Sequence, residues 1–236
     1  STDKQGQTQT GTPTFTPGNP NVPMDDDTPA TFEDGSKTKN IPGEGTYTVA
    51  PDGTVTFVPE KSFTGTATGV TVKRVDKNGT EITAKYTPTV TPVTPTAAPA
   101  ETTDIQGATQ TGTPTFEGAT VQVNGQDKAI TIKDNSYTLL DKDGNEVATT
   151  PAYAEDGTTE IGTYSIDPAT GQVTFTPTDK SYTGKVTPVK VQAESSNGIK
   201  VDTTYTPEIV PVTPTATPAE TTDIQGATQT GKPEFK

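Results

Sequence analysis

Residues Pro92–Phe116 return as Pro211–Phe235 with 22 of 25 positions identical, at an offset of 119. A worn copy, STDKQGQTQTGTPTF, occupies Ser1–Phe15, and Phe15 lies 101 positions before Phe116. A shared offset over a whole stretch is the signature of tandem units. It constrains the fold more than any single motif, because each unit must bury its apolar groups alone or against a neighbour. The chain therefore reads as repeat domain one (1–101), repeat domain two (102–220) and the N-terminal stub of a following repeat (221–236). It has the look of a segment cut from a longer array.

Apolar residues make up only 27% of the chain, and Thr, at 54, is the commonest residue. That composition admits a disordered Thr/Pro stalk. The order of the residues argues against it. In GTYTVAPDGTVTFVP, Gly45 to Pro59, Tyr47 and Val49 share one face of an extended chain, and Val55 and Phe57 share one face of the next. Pro51-Asp52-Gly53 between them is turn chemistry. Repeat two uses the same device: Tyr164 and Ile166 alternate, then Val173 and Phe175. Asn78-Gly79 marks another turn, followed by the alternation Ile82, Ala84, Tyr86; SSNG before Ile199, Val201 and Tyr205 is its partner in repeat two. The period is two, the strand period. The predicted class is all-β: two tandem antiparallel β-sandwich (Ig-like) repeat domains joined by a stiff, Pro-rich junction.

Repeat two carries additional residues, predicted as an inserted hairpin at about 134–150 that turns at Asp143-Gly144. It also holds 26 residues of the Val, Ile, Leu, Met, Phe and Tyr types against 18 in repeat one. Each buried one contributes about 1.5–3 kcal/mol, so repeat two is expected to melt higher. The repeats end on YTPTVTPVTPTAAPAE and YTPEIVPVTPTATPAE, where regularly spaced Pro fixes φ and removes ladder donors. The closest identity lies in this junction, which suits an array whose product is length.

The net charge is −13, distributed as −4 over 1–101 and −9 over 102–220. Nucleic acid binding needs basic patches to neutralise phosphate, so a nucleic-acid partner is not expected. No run of about 18 apolar residues is present to form a spanning helix, and no membrane partner is expected. The acidity keeps copies apart and predicts a monomer.

The strings GTYTVAPDGTVTFVPEKSFTGTATGVTVKRVDKNGTEITAKYTPTV and GTYSIDPATGQVTFTPTDKSYTGKVTPVKVQAE resemble the fibril repeat of CshA-type streptococcal surface adhesins. The likeness covers nearly the whole chain and is weakest over Phe116 to Val147. It implies a long, extracellular, cell-wall-anchored fibril whose repeats project an adhesive N-terminal region. It further implies neighbouring repeats of the same chain as partners, with the parent adhesin contacting fibronectin or other bacteria. The alternative it leaves open is a repeat that itself binds a host protein or glycan.

No catalytic site is expected. His and Cys are absent, removing the usual base and thiol nucleophile. No cofactor is expected. The weak calcium candidates are Asp141, Asp143 and Asn145, but Gly144 falls at the fourth loop position where an EF-hand needs it at the sixth. A second acidic cluster is Asp25-Asp26-Asp27. No Lys–Asn crosslink is expected, since TQTGTPTF has no Lys and Asn78 and Asn197 lie at turns. Tyr153, in the loop TTPAYAEDG, is the one candidate for a binding aromatic outside the hairpin pattern, and the expectation is a core residue equivalent to Phe32.

Overall fold

A computed structural model describes residues 1–123 and 125–236. Every regular element among the described residues is a strand, and nearly all strand pairs are antiparallel. The chain divides into two compact units. The first comprises Ser1–Ala98, Thr115–Thr138 and Val191–Thr203; the second comprises Pro99–Pro114, Leu139–Lys190 and Thr204–Lys236.

In the first unit, Gly45–Val49 pairs with Val55–Pro59 in the register Tyr47↔Phe57 and Val49↔Val55. Gly53 takes φ 93° in the turn, a conformation glycine adopts without steric cost. Thr38–Ile41 and Gln9–Gly11 complete that sheet on either side. A second sheet runs Thr31–Phe32, Val70–Val75, Glu81–Tyr86. Their inward faces supply one core, containing Phe32, Tyr47, Val55, Phe57, Val72 and Tyr86. Tyr47 and Phe57 stack with ring centroids 4.5 Å apart. The alternation after Asn78-Gly79 reaches the core only at its end. Tyr86 is buried, while Ile82 is 38% exposed. A smaller cluster joins Val93 to Val121 and Ile130 of the hairpin formed by Ala119–Val123 and Gln126–Ile130.

In the second unit, Glu160–Ile166 pairs with Val173–Pro177, again with tyrosine opposite phenylalanine: Tyr164↔Phe175. Thr149–Tyr153 and Gln110–Gly112 flank them. Leu139 and Leu140 pair antiparallel with Val147 and Glu146 around the Asp143-Gly144 turn. Tyr164 meets the Tyr205 ring edge-on at 6.1 Å.

The two core tyrosines differ in one atom's environment. Tyr164 Oη donates to the Thr187 carbonyl at 2.8 Å. Tyr47 Oη is buried near the Gly69 backbone and has no hydrogen-bond partner among the described residues. A satisfied buried hydroxyl contributes about 0.5–1.5 kcal/mol, whereas an unsatisfied one costs free energy. Tyr164→Phe should therefore destabilise by about that amount, and Tyr47→Phe should be neutral or stabilising. Urea unfolding of the two single variants checks this; equal losses would contradict it.

Candidate functional site: the repeated strand and its polar clip

The segment that the sequence repeats most faithfully forms a strand running parallel to a strand near the end of its own repeat. Thr2–Lys4 lies along Thr89–Thr91, in the register Thr2↔Thr89 to Lys4↔Thr91. Ala100–Ile105 lies along Lys200–Val210, from Ala100↔Tyr205 to Ile105↔Val210.

Beyond each parallel strand the chain turns and meets the body through a glutamine. In the first unit, Gln9 is 4% exposed. Its Oε1 accepts from Ser1 Oγ at 2.6 Å, and its Nε2 donates to the Thr89 carbonyl at 2.9 Å. Ser1 Oγ also lies 2.6 Å from Tyr86 Oη. In the second unit, Gln110 accepts from Thr102 Oγ1 at 2.6 Å and donates to the Glu208 carbonyl at 3.0 Å. Thr102 Oγ1 lies 2.8 Å from Tyr205 Oη. A buried amide needs its donors and acceptors met, and the clip meets them through a hydroxyl of its own segment and a carbonyl of the strand it lies along.

Two residues on, a glycine lies against the same tyrosine. A Cβ at Gly11 would sit 2.2 Å from Tyr86 Cε2, and a Cβ at Gly112 would sit 2.2 Å from Tyr205 Cε2. The glycines are thus required by space. The repeated S/T-x-x-x-Q-x-x-x-Q-x-G thus carries the hydroxyl, glutamine and glycine that seat the segment on its body.

The third copy keeps its internal part. Thr221 Oγ1 donates to Gln229 Oε1 at 2.6 Å, and Ile224 N donates to Asp223 Oδ1 at 2.7 Å, as in the other copies. Ala216–Thr217 pairs with Glu234–Phe235 as Thr96–Ala98 pairs with Thr115–Glu117. Ile224 and Phe235 are 80% and 77% exposed. The segment's shape is therefore local, and burial of it comes from a body.

Asp141 spends its carboxylate on its own turn. Oδ1 accepts from the Asp143 and Asn145 amides at 2.9 and 2.8 Å, and Oδ2 accepts from Asn145 Nδ2 at 3.0 Å. Asp143 contributes its amide to that turn, and Asn145 its amide and side chain. Among the described residues no cluster of three acidic groups converges as a metal site. Asp25 and Asp27 both pair with Lys77, and Asp26 pairs with Arg74 at 2.7 Å. Tyr153 is half-buried, with Lys142 Nζ 3.4 Å above its ring centre, whereas Phe32 is fully buried. It borders a cleft of about 270 Å³ in the second unit, shared with Lys142, Thr150 and Thr187.

The acid groups set a pH dependence. The hydrogen bond from Lys77, helped by Thr28, holds Asp25 down at about 2. Amide and hydroxyl donors lower Asp34, Asp52, Asp141, Asp156, Asp167 and Asp179. A lowered folded pKa gives stability that is whole above the unfolded value and lost as pH falls through the folded one. Burial pushes Tyr47 up to about 12 and also raises Tyr86, Tyr164 and Tyr205. Their contribution is whole below the unfolded tyrosine value and lost as pH rises beyond it. With no histidine present, no side chain ordinarily titrates between about pH 5 and 8. The melting temperature should be flat there, fall below about pH 4 and fall again above about pH 10. A step near pH 6 to 7 in a thermal melt series would contradict this account.

The glutamine clip was missed by strand periodicity. The signal available was the unusual fidelity of polar residues in the repeated segment.

The family model described as the surface adhesin CshA repetitive domain matches residues 1–90 and 92–209. Repeat domain 13 of the fibrillar adhesin CshA from Streptococcus gordonii is 65% identical, over 30% of this chain and 91% of that one, with a TM-score of 0.18. Drosophila N-cadherin EC1-3 covers 89% of this chain and 64% of its own at 14% identity and a TM-score of 0.31. The Ig1-2 module of the Drosophila receptor tyrosine phosphatase DLAR covers 89% and 93% at 15% identity and 0.27. No curated protein gives a match. With matches spanning both sequence repeats, the chain belongs to the CshA repetitive-domain family of surface adhesins.

Proposed function

We propose that this chain is a stalk segment: its repeats give a surface fibril reach, and the adhesive contacts are made by another part of the parent adhesin, anchored in the cell wall. The observation that carries the reading is the clip. In both units the clip's glutamine, hydroxyl and tyrosine bond one another and the strand beside them within the fold, and are not presented outward as a ligand site would require. Repeats 1–101 and 102–220 are the structural modules on this reading, with 221–236 starting the next, and calcium plays no part.

The experiment is a swap in the parent adhesin on cells. Residues 1–220 are replaced by an unrelated β-sandwich pair of similar length. Adhesion to fibronectin-coated surfaces should fall when the repeats are deleted and return with the unrelated spacer. Failure of the spacer to restore it would favour the second reading, in which repeat two is itself adhesive. The Tyr153 cleft is the observation that supports that reading, and Tyr153→Ala would then abolish binding.

A further inference from the structure

A second glutamine of the repeated segment makes a different kind of contact. In the first unit Gln5 is 2% exposed and uses its whole carboxamide. Nε2 donates to the Lys61 carbonyl at 3.0 Å and to the Asn197 carbonyl at 2.9 Å. Oε1 accepts from the Val93 amide at 3.3 Å and from Asn197 Nδ2 at 2.7 Å. Asn197 Nδ2 also reaches the Val93 carbonyl at 2.9 Å, and Asn197 is 3% exposed. The next residue, Gly198, lies close enough to Ser62 that a Cβ there would be 3.4 Å from the serine Cβ. An Asn-Gly turn is thus plugged into a socket made of one glutamine and the loop backbone at Lys61 and Val93.

The second unit has the socket half used. Gln106 Nε2 donates to the Ser181 carbonyl at 2.7 Å, and Oε1 accepts from the Val212 amide at 2.9 Å. These bonds match those of Gln5 to Lys61 and Val93, with the carbonyl one residue further along K-S-F/Y-T-G. One N–H and one lone pair of the carboxamide remain, the two that Asn197 takes at Gln5. Val212 is 55% exposed where Val93 is 8% exposed, so this socket opens to solvent.

The first unit also carries a second plug. Asp76–Thr80 makes the same turn as Ser195–Ile199: Gly79 N donates to Asp76 O and Gly198 N to Ser195 O, each at 2.9 Å. Gly79 and Gly198 share φ near +80° (81° and 80°). Asn78 is exposed.

We propose that Gln106, with the Ser181 and Val212 backbone, is a docking socket for an Asn-Gly hairpin turn of another repeat of this family, and that Asn78-Gly79 is such a plug. The partner is a second copy of this chain or a neighbouring repeat in a longer one. The contact is head-to-tail, since plug and socket are different surfaces. Being small and polar it is weak between separate chains, and covalent linkage raises its occupancy through effective concentration. It holds whichever part of the parent adhesin makes the host contact.

Disulfide trapping tests it, because the chain has no cysteine. Full chains carrying Gly79→Cys are mixed with full chains carrying Ser181→Cys in a thiol-exchange buffer, with salt to screen the shared acidity. The double variant Ser62→Cys/Gly198→Cys reports the intramolecular case. The mixed dimer should accumulate several-fold above a pairing of Gly79→Cys with Thr163→Cys, an exposed strand position. Adding Gln106→Ala should return it to that background. Since position 79 has positive φ, side-chain amide NMR asks the same question without a cysteine. The Gln106 resonances should move as the wild-type chain is concentrated and stay fixed in Asn78→Ala. Trapping at background level together with concentration-independent Gln106 resonances overturns the proposal.

Discussion

Gly112→Ala is expected to destabilise the second unit by about 3–5 kcal/mol, the range for losing a buried aromatic ring. A single methyl rarely costs so much. Here the added Cβ would fall 2.2, 2.6 and 3.2 Å from three ring atoms of Tyr205, the first two closer than packed carbons approach. The ring is fully buried, and its hydroxyl is tied to Thr102, so it has no free side on which to yield. Either the ring leaves its place or the closing segment lifts away. Gly112 does not have positive φ, so the penalty arises from space and not from backbone strain. Gly231→Ala is the control. Its nearest neighbour is Ala219 Cβ at 3.3 Å, and surface substitutions of this kind stay within about 0.5 kcal/mol. Urea unfolding of the two variants separates the cases, and equal small losses would mean that the glycine does not seat the tyrosine.

Gln110→Ala should cost about 2–4 kcal/mol. It removes an acceptor from Thr102 Oγ1 and a donor from the Glu208 carbonyl. Each net hydrogen bond is worth about 0.5–1.5 kcal/mol, and a buried group left unpaired costs about 1–3 kcal/mol more. Gln229→Ala removes the same residue from the third copy, where the bond to Thr221 is exposed, and should change stability little. A similar response from both variants would show that the glutamine acts through local turn shape alone.

Much of the fold was legible because turn chemistry and period two are local. Asp52-Gly53 and Asn78-Gly79 announced hairpins, and the alternating Tyr47, Val49, Val55 and Phe57 named a core face that the structure buries. The parallel pairing of Ala100–Ile105 with Lys200–Val210 was not legible. Alternation says that a strand has one buried face and is silent about a partner a hundred residues away. The polar clip escaped for a related reason. Gln9 and Gln110 are buried, but their burial depends on carbonyls of distant strands, and residue type alone places glutamine outside. The two Asn-Gly turns make the same point. DKNG and SSNG read alike, yet Asn78 is exposed and Asn197 is enclosed, because only the second finds a glutamine.

The parallel closure has a mechanical consequence. Its two strands lie at the start and towards the end of a repeat, and they run in the same direction through six consecutive register pairs, Ala100↔Tyr205 to Ile105↔Val210. Tension entering before the first strand and leaving after the second pulls them past one another along their length. Their bonds then share the load together, whereas an antiparallel pair pulled from adjacent ends would peel open bond by bond. A repeat closed in this way is loaded in shear when pulled from its two ends, with the contact between Thr102 and Tyr205 beside the first register pairs.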